Sequence, residues 1–89
     1  MQVDRIDNVS FLTFHKEKIT QTQFEMLREW GYDLTDLLIQ AKYANSKNEG
    51  RRAISGRGIR INDRIIDDKF ARIGWDKELK LWCIIQILE

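Results

Sequence analysis

The chain has 89 residues, 43% of them hydrophobic, and a formal net charge of +1, which limits it to one domain with a modest core. No apolar run approaches the length of a membrane span, and residues 1–10, which include Asp4 and Asp7, lack the apolar core of a secretory signal. The single cysteine, Cys83, excludes an internal disulfide and fits a reducing, cytoplasmic setting.

Residues 1–19 carry no clean periodicity beyond a short strand expected over Val9 to Phe14. Thr20 and Gln23 have the residue types of a capping box, and Phe24, Leu27 and Trp30 recur at helical spacing. That pattern predicts a first helix ending at Gly31. A second helix is predicted from Tyr32 or Asp33. Leu34, Leu37, Leu38 and Ala41 form its apolar stripe, and Asp33 and Asp36 lie where the helix dipole favours acids. Ser46 and Glu49 form another capping box, which opens a third helix from Lys47 to about Arg57. Gly50, Ala53 and Ile54 fall on one side of it, and Lys47, Arg51, Arg52 and Ser55 mostly on the other. Two short helices on a tight link predict a helical hairpin.

Beyond Gly58 the period changes from helical to alternating. Ile59 and Ile61 flank Arg60, Asn62-Asp63 is a turn pair, and Arg64 to Asp67 returns as the partner strand. Phe70 to Ile73 is expected as a third strand and Gly74 to Glu78 as a turn. Leu79 to Leu88 is the longest strand candidate. Leu79, Leu81, Cys83, Ile85 and Ile87 share one face, and Trp82, Ile84 and Leu88 lie on the other with Lys80 and Gln86. A strand apolar on both faces needs two covers, and the first helix is the natural second one. The expected class is α+β: a helical hairpin on a small, mainly antiparallel sheet, with an extra N-terminal helix.

Charge is concentrated in the middle of the chain. Lys42 to Arg64 holds seven basic and two acidic residues, +5, against −4 for the remainder. A basic segment on a nearly neutral protein points to a localised anionic partner. Lys47, Arg51 and Arg52 project from the third helix, Arg60 points away from the Ile59–Ile61 side of its strand, and Arg57 and Arg64 sit near the ends of those elements. Ser46 and Ser55 add hydroxyls, and the helix start adds free backbone N–H groups. Several guanidiniums with local donors suit a phosphodiester backbone. A solvated helix face accounts for an isolated charge run as well. It accounts less well for one sign carried across helix, loop and strand.

The stretch SKNEGRRAISGRGIRIND, Ser46 to Asp63, resembles the core motif of the ribosomal protein S-four-type RNA-binding domain. Its closest variety is the C-terminal domain of bacterial-type tyrosyl-tRNA synthetases, which also has an aliphatic helix beforehand, similar to YDLTDLLIQAKYANS, and a final strand similar to LKLWCIIQI. In this resemblance Ser46 matches the helix cap, Lys47 the basic second position, Glu49 the capping acid, and Arg51 and Arg52 the arginine positions. Gly58 matches the glycine before the strand, and Ile59, Ile61 and Asn62 match the strand end. The resemblance implies that Ser46, Lys47, Arg51, Arg52, Ser55, Arg57, Arg60 and Arg64 contact structured RNA, with tRNA as the partner. It implies an RNA-binding domain over 31–89, preceded by an extension or linker with a short helix over 1–30, monomeric in isolation and belonging to a homodimeric parent enzyme. This sequence departs from the motif at Gly50, where alanine is usual, at Arg57, where glycine is common, and at Asp63, which replaces a turn glycine.

No catalytic constellation is legible. His15 is the only histidine, and one His with one Cys does not make a zinc site. Gly56-Arg57-Gly58 has neither the length nor the lysine of a nucleotide loop. The chain is therefore expected to be non-catalytic, without cofactor or metal. If it belongs to a tyrosine–tRNA ligase, ATP binding and aminoacylation lie elsewhere in the parent. The aromatic residues, including Phe70, are expected in the core, with Trp75 in a turn. Two other functions stay open: a stand-alone small protein binding ribosomal RNA, and a basic protein-interaction module motivated by the two-sided apolar strand.

Overall fold

The computed structural model describes residues 2–28 and 33–88, with the side chains of residues 5, 7–28 and 33–85. The chain runs β1 (Gln2–Val9), β2 (Phe11–Phe14), β3 (Glu17–Thr20), α1 (Gln21–Leu27), α2 (Leu34–Gln40), α3 (Lys47–Ser55), β4 (Ile59–Ile61), β5 (Arg64–Ile65), β6 (Arg72–Asp76) and β7 (Leu81–Leu88). The α+β class holds, but the strands form two antiparallel sheets, ordered β1-β7-β6 and β3-β2-β4-β5. Among the described residues, no helix is long and apolar enough to cross a membrane.

The N-terminal segment supplies three strands where sequence periodicity suggested one. β1 pairs with β7 from Gln2↔Leu88 to Val9↔Trp82, and β2 pairs with β3 on one side and β4 on the other. The β2–β3 turn is made by His15 and Lys16 at φ 46° and 79°. Neither is a usual left-handed turn residue, which is why the hairpin left no trace in the composition. In the four-stranded sheet Leu12, Ile19, Ile59 and Ile61 are buried on one face. Lys18, Thr13, Arg60 and Ile65 form a cross-strand row on the opposite face.

The helical hairpin forms as its caps dictate. The Asp33 carboxylate accepts from Thr35 N–H at 2.8 Å and starts α2; the Ser46 hydroxyl accepts from Glu49 N–H at 3.2 Å and starts α3. Glu49 Oε2 faces Asn45 N–H at 3.4 Å, one residue earlier than a capping box requires. α2 also anchors at the start of the edge strand β6: Asp33 bridges to Arg72, and Leu34 N–H donates to the carbonyl of the preceding Ala71 at 3.1 Å. Gly50 is buried at the α2–α3 contact, and a Cβ there would stand 2.8 Å from Thr35 Cγ2. Alanine would gain about 1 kcal/mol of helix propensity, but it would force the helices apart.

The two faces of β7 differ: one packs into the core, and on the other Leu81 and Ile85 are only half-buried. Trp82 and Ile84 enter the core, where Phe24 of α1 lies 6.2 Å from Trp82 and Trp75 meets it edge-on at 5.6 Å. α1 is thus the cover expected for that face, through Phe24; the Trp30 and Gly31 proposed for the helix end lie outside the described residues. On the other face Cys83 is buried, its thiol directed at Asn8 Oδ1 at 2.9 Å, and burial raises its pKa.

Several boundaries differ from the sequence reading: α3 ends at Ser55, β5 at Ile65, and β7 begins at Leu81. The strand placed at Phe70 to Ile73 is Arg72–Asp76, and Gly74 and Trp75 lie within it, not in a turn. Gly74 is buried opposite Cys83, at a place where any side chain would meet Ile85 Cδ1. Phe70 is not a core residue. The Asp68 carboxylate accepts from Phe70 N–H at 2.9 Å and holds the ring in a turn, 63% exposed.

Asp76 closes the β6–β7 connection. Its Oδ1 accepts from Glu78 and Leu79 N–H at 2.9 and 3.0 Å, and its Oδ2 pairs with Arg5 from β1. Hydrogen bonding to Leu79 N–H, supported by Glu78 N–H and Arg5, holds this carboxyl below its ordinary value despite the opposing effect of burial. A carboxyl whose pKa is depressed by folding stabilises the fold above its unfolded pKa, and that stability is lost as pH falls through the folded value. Asp76→Asn is expected to lower stability at neutral pH and to flatten its decline below about pH 4. Urea unfolding across that range would show it, and parallel curves for the two proteins would contradict it.

Candidate nucleic-acid interface

All eight residues expected to touch RNA, Ser46, Lys47, Arg51, Arg52, Ser55, Arg57, Arg60 and Arg64, are exposed. α3 places Arg51, Arg52 and Ser55 along one open groove with Asn48 and Lys69. Positions 48, 51, 52 and 55 are one helical stripe, and Lys69 comes from the turn between β5 and β6. None of these five side chains is acidic. The groove therefore offers three cations, a hydroxyl and a carboxamide, a donor set suited to phosphate oxygens.

The other basic residues have different settings. Lys47 faces Asp36 of α2, Nζ to Oδ1 3.8 Å, with both side chains well exposed. That pair is weak enough to be exchanged for another anion. Arg60 stands on the outer row of the four-stranded sheet beside Thr13, on whose other side is Lys18. Arg64 lines a separate groove with Asp67 and Asp68, where its charge has acidic neighbours. Ser46 is engaged as the cap of α3.

Arg57 shows how the helix is terminated. Gly58 N–H donates to the Ala53 carbonyl at 2.9 Å and Arg57 N–H to the Ile54 carbonyl at 3.0 Å, a Schellman motif. Arg57 occupies its left-handed position at φ 64°, a place glycine adopts without steric cost. Arg57→Gly is expected to raise stability by about 1 kcal/mol, read as a higher denaturant midpoint, even though a positive charge is removed. A destabilised variant would mean that the arginine stem makes compensating contacts. Gly58 is held close by the β2–β3 turn: His15 N–H donates to its carbonyl at 3.3 Å, and a Cβ on Gly58 would lie 2.8 Å from His15 Cε1.

Lys69 was missed in the sequence because it follows Asp67 and Asp68, in a stretch with no net positive charge. Asn48 was legible as the residue one turn before Arg51 and Arg52 but carries no charge to draw notice. Arg52 also borders a second groove with Phe14, His15, Tyr43 and Glu49, in which the Phe14 and Tyr43 rings stack at 5.4 Å.

No family model matches the chain, and no solved structure matches it. Three curated proteins do match in part. The tyrosine–tRNA ligase of Bartonella quintana is 54% identical over 39 residues, 44% of this chain and 9% of that protein. The tyrosine–tRNA ligase of Mycoplasma genitalium is 39% identical over 49 residues, 55% of this chain and 12% of that protein. The tyrosine–tRNA ligase of Bartonella henselae is 49% identical over 39 residues, with 44% and 9% covered. The matched region thus spans only about a tenth of each relative's length. About half of this chain is related to a short region of tyrosine–tRNA ligases.

Proposed function

We propose that the chain is an RNA-binding module, the tRNA-binding C-terminal domain of a tyrosine–tRNA ligase, which does not itself catalyse. The observation that carries this reading is the groove in which Arg51, Arg52, Ser55 and Lys69 converge with no acidic side chain among its lining residues. Partial similarity to tyrosine–tRNA ligases supports tRNA as the RNA. In this reading the phosphodiester backbone runs along the exposed stripe of α3. Lys47 meets it at the helix start, and Arg57 and Arg60 meet it beyond the helix end. Arg64 contributes least, because Asp67 and Asp68 share its groove. Residues 31–89 form the RNA-binding unit, preceded by an extension over 1–30 whose strands β1 and β2 add to the edges of β7 and β4. Adenylation and aminoacyl transfer belong to the remainder of a cytoplasmic, homodimeric parent enzyme.

Recognition on this surface is of backbone and shape, because guanidinium and ammonium groups aimed at phosphates carry no base information. Filter-binding titrations with tRNA across a series of salt concentrations test the reading. The three groove cations together with Lys47, Arg57 and Arg60 should give log affinity a slope of about −4 to −5 against log salt. Absence of salt-dependent binding at low ionic strength would rule the module out as an RNA binder.

A further inference from the structure

We propose that Phe70 is a stacking platform for one unpaired nucleobase, whose flanking phosphate sits at Lys69 in the α3 groove; this rests on the RNA-binding reading above. Phe70 is 63% exposed in a domain whose other described Phe, Tyr and Trp residues are buried or half-buried. Its position is built. Asp68 accepts from Phe70 N–H at 2.9 Å, and Ala71 N–H donates to the Asp68 carbonyl at 2.9 Å, so the turn presents the ring outward from a fixed backbone. The adjoining residue, Lys69, is the one residue of the α3 groove that α3 does not supply, and its Nζ lies 5.4 Å from the centre of the Phe70 ring.

The Lys69 ammonium lies over one face of this exposed ring, so the base takes the other face, and cation and ring together match the two ends of a single nucleotide, a phosphate and a π-face. A base locked in a duplex cannot offer its face to Phe70, whereas a bulged or looped base can. The cationic groove alone would read only backbone. With Phe70 beside it, the same surface prefers RNA in which an unpaired residue adjoins a helix.

The test uses two RNA hairpins that differ by a single bulged 2-aminopurine, one carrying it and one fully paired. The intact chain should bind the bulged hairpin about tenfold more tightly and quench its fluorescence. Phe70→Leu, which keeps an apolar side chain at an exposed site, should abolish both the preference and the quenching and leave affinity for the paired hairpin unchanged. Phe70→Trp should restore them. Equal affinity of the intact chain for the two hairpins, or an equal loss on both with Phe70→Leu, would overturn the platform while leaving RNA binding in place. Failure to bind either hairpin would remove the platform together with the RNA-binding reading. A Phe70 that instead docks on protein would show itself as Phe70→Leu leaving both RNA affinities and the quenching as they were, which also overturns the proposal.

Discussion

Asn62→Ala is expected to destabilise the fold by about 2–3 kcal/mol, more than any surface substitution of ordinary kind. Asn62 Oδ1 accepts from Ser10 N–H at 2.9 Å, from the Ser10 hydroxyl at 2.8 Å and from Phe11 N–H at 3.2 Å, while its Nδ2 donates to the Asn8 carbonyl. Its own N–H donates to the Phe11 carbonyl at 3.2 Å. One side chain therefore ties the β4–β5 turn to the chain as it crosses from β1 in one sheet to β2 in the other. It also holds φ 53°, which asparagine tolerates better than alanine. Asn62→Gly would relieve the backbone but lose the same hydrogen bonds, so it should cost roughly 1 kcal/mol less than alanine. Asn62→Asp keeps the acceptor and loses the donor, and should fall between. Urea midpoints of the three variants separate backbone strain from hydrogen bonding. A loss below about 0.5 kcal/mol for alanine would mean that water replaces the side chain at this crossing.

The double variant Arg51→Ala with Arg52→Ala is expected to weaken tRNA binding by about one to two orders of magnitude and to reduce the salt slope by about 1.5. Both side chains are exposed on the groove stripe of α3, so stability should change by less than roughly 0.5 kcal/mol for each. Restoring Arg51 as lysine should recover part of the loss through charge, with the rest measuring what the planar guanidinium adds. Arg28→Ala is the control. It removes one positive charge, as Arg51→Ala alone does, from just beyond α1 at a residue that does not line the groove, and should leave binding nearly unchanged. Equal losses for Arg28→Ala and Arg51→Ala would point to diffuse attraction and would contradict a defined groove.

These two residues illustrate how differently the fold and the candidate surface could be read. Asn62 was legible as a turn residue from its neighbour Asp63 and the alternating Ile59–Ile61, and both turn positions have positive φ. That its side chain would stitch two sheets together was not legible, because Ser10 and Phe11 are more than fifty positions away. Arg51 and Arg52 were legible as one polar helix face because helical spacing fixes which residues share it. Lys69 could not join them until the chain had folded back past β5.

The amino-acid sequence determined what short-range chemistry can decide. Asp33 and Ser46 start α2 and α3 because their side chains reach backbone N–H groups two and three residues on. The apolar periodicity of Leu34, Leu37 and Leu38 fixes the buried face of α2 in the same local way. Tertiary structure alone decided the sheet arrangement, the place of Gly74 inside a strand and the composition of the groove. β1 is too polar to declare itself and is a strand because β7 offers it an edge. Gly50 and Gly74 look like weak points in sequence and are close contacts in space. Exposure of Phe70 follows from a turn set by Asp68, not from its hydrophobicity. Phe70 apart, the deciding partner is distant along the chain, and no local propensity encodes a contact with a residue that only folding brings near.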